Sequence, residues 1–501
     1  MVASMNVVEC SASTSEYVAV HAAMEPQRPA ILVANQVVTY GLVYQHIKNF
    51  TVALHQLGIK EGDKCIVNVS HPYVHWLLLL ALENLAALSC SVRPKEGSTL
   101  IALMQCMDKH ISEDDGPKDA PVELLPVSLE WVQAQLNARI DDTRYREVLR
   151  FLAPHAGQRI KRSSGTTGGL KTMVSSNRGE EAYIKGYADA MGFTRETRYL
   201  VVNDFVIGSV HLCATLCLRL GAMIIFDMGS NPLELIARNR VTHLRLFPQQ
   251  LIDTLKELES RALPKPKDLT LILGAAPVSS IVWDRVMALL ATNIVYTYNA
   301  NECGSICVMG REGVGAVRAG VQVSIVGPDD RELAQGQVGR VRVKSPAMVQ
   351  SYLDNPEASR NNFKDGWFYT GDAGQFIGTR LLKLAGRIDD VLIFAGFKNG
   401  AAEYEEQACR VDGIQEACAM AAPDALGVDR LVICAVAEPA ADKQGIVQAL
   451  QSIFPTFITE GAKVYFVDAL PRTDNGKIRH SAMKARLSEL SGGYTLEGGG
   501  A

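Results

Sequence analysis

Residues 163–172 read Ser-Ser-Gly-Thr-Thr-Gly-Gly-Leu-Lys-Thr, and this stretch constrains the chain more than any other. Hydroxyl side chains surround its glycines, and Lys171 follows closely. Free backbone N–H groups, hydroxyl donors and one cation suit a polyphosphate, and glycine lets the backbone approach the anion without a Cβ in the way. The Walker P-loop needs glycine directly before its lysine, and Leu170 occupies that position. These residues alone leave two interpretations open, a phosphate-binding loop of another kind and a glycine-rich linker of similar composition.

Length and composition narrow the class of protein. A chain of 501 residues exceeds one ordinary core, so two or more domains are expected. A net charge of −4 lacks the basic excess of a nucleic-acid binder. The eleven cysteines contain no Cys-x-x-Cys pair, and neither Cys213/Cys217 nor Cys303/Cys307 has a histidine at zinc-site spacing. Buried reduced thiols in a cytoplasmic enzyme are the expectation.

Targeting, membrane and metal signals are weak. The segment Met1–Tyr17 has no lysine or arginine, which argues against a secretory signal. The most apolar runs are too short (Trp76–Leu82) or interrupted by charge (Val206–Phe226), so no membrane span is expected. His71 and His75 have helical spacing, but no third ligand accompanies them and Pro72 is expected to start a turn, so surface or packing histidines are favoured over a metal site.

The hydrophobic pattern predicts an α/β fold. Helical periodicity at Gly41–Leu57 and His75–Ala87 flanks an apolar strand at Cys65–Val69, and similar units recur to residue 298. This alternation is typical of a largely parallel sheet with helical cover. Residues 1–16 are predicted to be a loose start, and residues 107–120 a polar surface loop.

The pattern changes in the second half of the chain. Val321–Val326 and Val338–Val343 alternate apolar and polar residues, which predicts an antiparallel β subdomain. A domain boundary is expected near 386–390, and the glycine-rich segment 491–501 is predicted to be a disordered tail.

Five more segments stand in sensible order and spacing with the 163–172 loop. They are Gly274-Ala-Ala-Pro277, Tyr298-Asn-Ala-Asn-Glu302, Tyr369-Thr-Gly-Asp372, Gly386-Arg-Ile-Asp-Asp-Val-Leu392 and Leu470-Pro-Arg-Thr-Asp-Asn-Gly-Lys-Ile478. With these motifs the chain resembles the adenylate-forming superfamily of acyl-CoA synthetases, adenylation domains and luciferases, from about residue 25 to 488. The resemblance implies a large N-terminal domain (1–387) of mixed sheets, helical layers and a β subdomain. It also implies a small mobile α+β domain (388–490) that carries the catalytic lysine.

The resemblance implies a two-step reaction. A carboxylate attacks the α-phosphate of Mg²⁺-ATP to give an acyl-adenylate, and an acceptor thiol, for which we favour CoA, then takes the acyl group. A carrier-protein pantetheine or an amine are alternative acceptors. A nucleotide-binding regulator without catalysis is the alternative from another class, and the retained site residues argue against it.

The residue roles follow from the same resemblance. Lys477 would bridge the substrate carboxylate and the α-phosphate, where negative charge builds up. Asp372 and Arg387 would bind the ribose hydroxyls, Tyr298 would stack on adenine, and Glu302 would hold Mg²⁺ together with Thr166. The remaining implied positions are Ser163, Ser164, Gly165, Thr167, Gly168 and Lys171 for the phosphates, Gly274, Ala275, Ala276 and Pro277 for the adenine pocket, Asn301 beside the catalytic acid, Asp389 as the hinge and Gly396 in the acceptor channel.

Some residues depart from the family pattern. Asn301 replaces the usual threonine, Asn299 a usual glycine, and Thr297 the glycine that lines the acyl tunnel in many members. These larger side chains predict a short or compact acid. Val206 lies near the position of a common histidine or aromatic gate, and His211 lies five residues on, which leaves the gating open. Asp204 lies a few residues from the acidic group of amino-acid-activating relatives. We expect a substrate without an α-amine.

Overall fold

The computed structural model describes residues 12–93, 97–114, 121–164, 170–229, 231–274, 280–353, 355–388, 391–394, 397–424, 429–454, 456–459, 461–472, 476–490 and 492–496. Its sheets and helical layers confirm the predicted mixed α/β class. A search of these residues finds no helix with the length and apolar character that a membrane crossing needs.

The strands are, in chain order, β1 (Pro29–Val33), β2 (Gln36–Thr39), β3 (Lys64–Asn68), β4 (Leu88–Ser91), β5 (Lys109–Ser112), β6 (Glu123–Pro126), β7 (Gly157–Ser164), β8 (Leu170–Ser176), β9 (Arg198–Val201), β10 (Met223–Phe226), β11 (His243–Arg245), β12 (Thr270–Leu273), β13 (Asn293–Ala300), β14 (Gly304–Met309), β15 (Val314–Val317), β16 (Gln322–Val326), β17 (Gly339–Lys344), β18 (Tyr352–Leu353), β19 (Phe363–Lys364), β20 (Trp367–Gly378), β21 (Leu381–Arg387), β22 (Val391–Phe394), β23 (Phe397–Gly400), β24 (Ile414–Pro423), β25 (Asp429–Ala437), β26 (Ala462–Phe466) and β27 (Tyr494–Leu496).

The helices are α1 (Thr14–Met24), α2 (Tyr40–Gln56), α3 (Pro72–Asn84), α4 (Gly97–Met104), α5 (Leu129–Asn137), α6 (Asp142–Val148), α7 (Asn177–Met191), α8 (Gly208–Leu220), α9 (Pro232–Asn239), α10 (Pro248–Arg261), α11 (Ser280–Leu289), α12 (Pro356–Asn362), α13 (Ala401–Cys409), α14 (Lys443–Ile453), α15 (Thr456–Thr459) and α16 (His480–Arg486).

The largest sheet combines a parallel half and an antiparallel half. Strands β1, β10, β9, β11, β12 and β13 lie side by side in parallel, and the sheet continues in antiparallel fashion through β14, β15, β21, β20, β17 and β16. The predicted pairing of the segments at 321–326 and 338–343 is confirmed, with Ile325 opposite Val341. The parallel strands appear in the sequence as short apolar runs because protein covers both of their faces.

A second sheet has the order β18-β8-β7-β4-β3-β5-β6. One continuous core joins strands of both large sheets with α2, α3, α7 and α8, and Trp76, Phe50 and Tyr187 are fully buried in it. The 163–172 segment runs from the end of β7 to the start of β8, so its two ends are fixed by an antiparallel strand pair, with Ser163 opposite Lys171.

The C-terminal residues have their own core. Strands β24, β25, β26 and β27 form a sheet in that order, and α13 and α14 bury Tyr404 and Leu450 against it. The predicted disordered tail is wrong for Tyr494–Leu496, because this segment pairs with β26 and fully buries Leu496. A strand edge offers backbone hydrogen bonds that glycine content cannot reveal.

Three other local predictions need correction. The loose start predicted over residues 1–16 gives way at Thr14 to α1, which begins with a capping box of Ser13 and Glu16. Residues 109–112 of the predicted surface loop form the buried strand β5. Pro72 does not form a separate turn but opens α3, since proline fits the first helical turn.

Candidate active site

An ion pair across a β-hairpin forms the first part of the site. Asp372 on β20 and Arg387 on β21 are direct register partners. Arg387 Nη1 donates to Asp372 Oδ1 at 3.0 Å and to the Thr370 carbonyl at 2.9 Å. Tyr298 Oη donates to Asp372 Oδ2 at 2.5 Å. Both carboxylate oxygens are therefore held in fixed directions, by one residue of the same hairpin and one of β13.

Gly371 makes this arrangement possible. Its φ is +75°, and a Cβ at this position would lie 2.3 Å from Arg387 Nη2. A contact that short requires the guanidinium to move, so a residue with a side chain conflicts with the Asp372 ion pair. Glycine is needed for both its conformation and its lack of volume.

Arg387 retains donor capacity beyond these bonds. Its Nε is buried and has no hydrogen-bond partner among the described residues. A guanidinium can donate five hydrogen bonds, and an unsatisfied buried donor is costly unless a ligand pairs with it. The Asp372 acceptors and the Arg387 donor together match the needs of a cis-diol.

Glu302 forms the second part of the site, in the turn between β13 and β14. Its side chain is buried, and its Oε1 accepts hydrogen bonds from Ser163 Oγ at 2.9 Å and Tyr352 Oη at 3.0 Å. Lys171 Nζ lies 5.1 Å from the centroid of the Tyr352 ring. Burial and the Glu302 carboxylate raise the pKa of Tyr352, so its hydroxyl stays a donor. The two ends of the 163–172 segment are therefore linked to Glu302, directly by Ser163 and through Tyr352 by Lys171.

Asn301 strengthens the same junction. Its Nδ2 donates to the Arg162 carbonyl at 2.8 Å, which ties the β13–β14 turn to β7. The amide that replaces the family's usual threonine therefore makes a structural bond between the two large sheets. Ser164 is the last residue of β7 and pairs with Leu170 of β8.

Lys477 reaches this site from the C-terminal residues. The pKa of Lys477 is lowered, mainly because the surrounding protein desolvates its ammonium group. The negative charges of Asp372 and Glu302 oppose this decrease, and the positive charge of Arg387 adds to it. The Lys477 residue is nevertheless exposed to solvent. Surrounding protein therefore desolvates the lysine only in part, and the side chain is not tightly packed. An ammonium group thus stands within electrostatic reach of both halves of the site.

The loop that carries Lys477 is anchored at several points. A bridge between Arg472 and Ile478 closes it, and Arg472 also donates to the Gly476 carbonyl at 2.6 Å and pairs with Glu416. Gly476 has a φ of +77°, which places the lysine at a sharp turn. The loop position is therefore determined by the C-terminal sheet through these contacts.

A cluster that sequence reasoning missed lies three residues further on. His480 Nε2 is 2.6 Å from Glu405 Oε1, which also accepts from the Ala419 backbone N–H at 2.9 Å, and Cys418 approaches both side chains. Burial alone would lower the pKa of His480, but its hydrogen bonds to Cys418 and Glu405 raise it to about 11. The charged pair fixes the start of α16 directly after the Lys477 loop.

The far side of β13 presents different groups. Thr297 is buried, and its Oγ1 donates to Asn299 Oδ1 at 2.9 Å, while Asn299 Nδ2 donates to Tyr183 Oη at 3.4 Å. Gly274 follows β12 and lies beside Thr297 and the buried Arg245. Arg245 was not identified from the sequence, because a single arginine between two leucines reads as an ordinary strand residue.

Other positions singled out in the sequence serve packing. His71 caps α3, and His75 contacts the Val69 carbonyl at 3.0 Å and Ser91 Oγ at 2.9 Å, consistent with the packing interpretation. Asp204 is paired with Arg93 at 2.6 Å. Burial lowers the pKa of His211 well below its usual range, and its ring contacts Trp76. The predicted positions outside the described residues are Gly165, Thr166, Thr167, Gly168, Ala275, Ala276, Pro277, Asp389 and Gly396.

Comparison with known families decides the class of this site. The family model described as "AMP-binding enzyme" matches residues 160–353, and the model described as "AMP-binding enzyme C-terminal domain" matches residues 403–477. The chain belongs to the adenylate-forming family of AMP-binding enzymes. It is an AMP-forming acid ligase of the acyl-CoA synthetase type, which confirms the resemblance and the enzyme class predicted from the motifs.

Relatives of this ligase include two bacterial proteins. It is 29% identical over 411 residues to the 3-[(3aS,4S,7aS)-7a-methyl-1,5-dioxo-octahydro-1H-inden-4-yl]propanoyl:CoA ligase of Mycobacterium tuberculosis, with 78% of this chain and 75% of the relative covered. It is 23% identical over 492 residues to a putative acyl–CoA ligase of Bacillus subtilis, with 91% and 95% covered.

Solved structures show the same fold. ATP-bound MatB from Rhodopseudomonas palustris superposes with a TM-score of 0.82 at 20% identity, covering 94% of this chain and 98% of that one. The anthranilate CoA ligase AuaEII in complex with anthranoyl-AMP superposes with a TM-score of 0.81 at 16% identity, covering 95% and 97%. At these identities the structures support the fold of the ligase and leave its substrate open.

Proposed function

We propose that this ligase activates a small carboxylic acid with Mg²⁺-ATP through an acyl-adenylate and transfers the acyl group to CoA. One observation carries the proposal. Lys477, on a loop of the C-terminal residues, stands within electrostatic reach of Asp372, Arg387 and Glu302, although at least 90 residues separate it from each of them in sequence. An ammonium beside nucleotide-binding and metal-binding groups suits a reaction in which two anions must meet.

The nucleotide would bind across the β20–β21 hairpin. Asp372 would accept from the ribose hydroxyls and Arg387 would donate through its free Nε, while Tyr298 would cover the adenine. Gly274, Ala275, Ala276 and Pro277 would line the adenine pocket. The phosphates would contact Ser163, Ser164, Gly165, Thr166, Thr167, Gly168 and Lys171.

Glu302 fits a magnesium ion by its chemistry. Mg²⁺ prefers carboxylate and phosphate oxygens, and the Glu302 carboxylate is buried and oriented by two hydroxyl donors. Glu302 and Thr166 would hold the ion, which would neutralise charge on the phosphates when bound. The protein's part is to keep the Glu302 oxygens directed toward the phosphate loop.

In the first half-reaction, Lys477 would contact the acid carboxylate and the α-phosphate at once, which lowers their repulsion. The lowered pKa of Lys477 reflects desolvation, and an incompletely solvated ammonium interacts more strongly with anions than one in bulk water. In the second half-reaction the C-terminal domain would turn about Asp389, and the acceptor arm would pass Gly396. Few-residue hinges between elements are a common means of such rotations.

CoA is the favoured acceptor because the relatives are named CoA ligases. A short or compact acid is favoured because Thr297 and Asn299 fill the far side of β13 and bond to each other. We also propose a cytoplasmic location, because every cysteine among the described residues is a free thiol, as expected in a reducing compartment.

The test is acid-dependent ATP–pyrophosphate exchange with the variant Lys477→Ala. The exchange rate should fall by about 10²–10³, the loss expected when one group that stabilises transition-state charge is removed. ATP binding should change little, since other residues hold the nucleotide. Lys484→Ala, an exposed lysine on α16, is the matched control and should exchange at the wild-type rate. Near wild-type exchange by Lys477→Ala would show that the proposed mechanism is wrong.

The acceptor is tested separately. Acyl-CoA should form when CoA is added to the enzyme, ATP and an acid that supports exchange. If CoA gives no product while carrier protein or an amine does, adenylation stands and the acceptor is one of the alternatives.

A further inference from the structure

Arg245 is a buried cation for which the described part of the chain provides no counter-ion. It ends β11 and is 2% exposed, and its Nε and Nη1 have no hydrogen-bond partner among the described residues. The described ion pairs do not include it. Its guanidinium carbon lies 5.7 Å from the centroid of the Phe247 ring, a weak compensation for lost hydration. Burying an unpaired charge is strongly unfavourable, so a missing anionic partner is indicated.

The position of Arg245 is at the ligand edge of the sheet. Strands β11, β12 and β13 are parallel neighbours, and Arg245 and Gly274 both lie where these strands end. Ligands of open α/β sheets bind outside the carboxyl ends of the strands. A Cβ on Gly274 would lie 3.3 Å from Arg245 Nη2, so glycine leaves room beside the guanidinium.

Strand β13 lies between Arg245 and the side of the site that carries Asp372. Tyr298 bonds to Asp372 on one side of the strand, and successive side chains point to opposite faces. The neighbouring Thr297 therefore points the other way. A Cβ on Gly274 would lie 3.6 Å from Thr297 Oγ1 and 3.3 Å from Arg245 Nη2, so these two side chains lie close to the same point. Arg245 thus stands on the side of β13 that faces away from Asp372.

A hydroxyl accompanies the cation. Burial raises the pKa of Tyr187, and the charge of the nearby Arg245 opposes this rise. The Tyr187 hydroxyl is buried and has no hydrogen-bond partner among the described residues. Tyr187 belongs to α7, which packs over β14. A guanidinium and a phenol on the same side of β13 provide planar donors suited to a carboxylate.

We propose that Arg245 binds a second carboxylate of the acid substrate, so that the enzyme activates one end of a dicarboxylic acid. This inference rests on the proposed function, since it assigns the acid to the Thr297 side of β13. The reacting carboxylate must lie near Lys477, on the side of Asp372 and Glu302, so the anion beside Arg245 is a different one. A monocarboxylic acid would leave the buried guanidinium unpaired and is discriminated against for that reason.

The experiment compares each diacid with its own monomethyl ester, which keeps the length and removes one charge. Exchange is measured for malonic to adipic acid and their half-esters with wild-type enzyme, Arg245→Met and Arg245→Lys. Wild-type kcat/KM should favour the best diacid over its half-ester by at least about 100-fold, the discrimination typical of a site built to bond one substrate group. Arg245→Met should reduce this ratio at least about 50-fold, and Arg245→Lys should keep part of it because it keeps the charge.

Folding is controlled independently of activity. Removal of an unpaired buried charge should leave the Tm of Arg245→Met unchanged or raise it, whereas the loss of a structural ion pair would lower it. Arg238→Met, an arginine on α9 that bonds to Asn35 Oδ1 at 2.8 Å, is the matched control and should retain the wild-type ratio.

Three results would overturn the inference. Exchange with half-esters as efficient as with diacids, or an unchanged ratio in Arg245→Met, refutes the role of Arg245 and leaves adenylation intact. An absence of exchange with every acid refutes the proposed function, and this inference with it.

Discussion

Substitution of Gly371 by alanine tests how the nucleotide site is built. A Cβ there would lie 2.3 Å from Nη2, 2.9 Å from Cζ and 3.0 Å from Nη1 of Arg387. Comfortable contacts begin near 3.5 Å, so the guanidinium must move by roughly 1 Å. The bonds of Arg387 to Thr370 and Asp372, at 2.9 Å and 3.0 Å, would then stretch or break.

The backbone cost can be separated with a matched glycine. Gly366 has a φ of +73°, against +75° for Gly371, and a Cβ there would meet only the flexible end of Lys344 at 3.6 Å. Each alanine should therefore cost about 1–2 kcal/mol in backbone strain. Gly371→Ala adds the loss of charged hydrogen bonds, about 1–2 kcal/mol after a reduction for the partial exposure of Arg387.

The assay is ATP affinity by calorimetry, together with Tm, for both variants. Both should unfold at a lower temperature than the wild type. Only Gly371→Ala should also bind ATP about 5–30-fold more weakly, the factor that corresponds to 1–2 kcal/mol. If the two variants bind ATP with the same affinity, the Asp372–Arg387 pair does not bind the nucleotide, and the reasoning is refuted.

Three more variants probe the remaining contacts. Tyr298→Phe removes the donor to Asp372 and should raise the KM for ATP about 3–10-fold, as expected for one bond to a charged group; an unchanged KM would contradict this. Glu302→Gln should raise the Mg²⁺ concentration for half-maximal exchange at least about 10-fold, and an unchanged requirement would exclude the proposed metal ligand. The raised pKa of His480, about 11, means that its ion pair with Glu405 stabilises the fold fully below pH 6.5 and progressively less as the pH rises toward 11. The stability advantage of wild type over His480→Gln should therefore shrink between pH 6 and pH 9, by at most about 1.4 kcal/mol per pH unit, in urea unfolding; a constant difference would show that the pair is not charged.

The hydrophobic pattern predicted the strands and helices well where they are long or fully apolar. The helix at Gly41–Leu57 and the pairing near Ile325 and Val341 were both readable, because their periodicity reports which face is buried. Strand Tyr494–Leu496 was not readable, since its order depends on a partner edge offered by β26. The buried strand β5 could not be identified from the sequence because polar residues precede and follow it.

The residues of the candidate site also differ in how far the sequence alone identifies them. Motifs with an unusual composition, such as the loop at 163–172 and the glycine before Lys477, pointed to phosphate chemistry once their order matched that of the adenylate-forming family. Arg245, Tyr352 and His480 carry no such signature. An arginine between leucines can be recognised as a candidate ligand-binding residue only when the structure shows its guanidinium buried with no anion beside it among the described residues.

The sequence by itself determined the family and the candidate groups proposed to bind the nucleotide, because these depend on local motifs whose chemistry is fixed by residue type and spacing. The tertiary structure decided which groups meet. Asp372 shares its oxygens between Arg387 and Tyr298, Lys477 approaches Asp372 and Arg387 from 90 or more positions away in sequence, and Arg245 finds no anionic partner among the described residues. Charge pairing and burial are properties of neighbours in space, and the one-dimensional order of residues does not contain them.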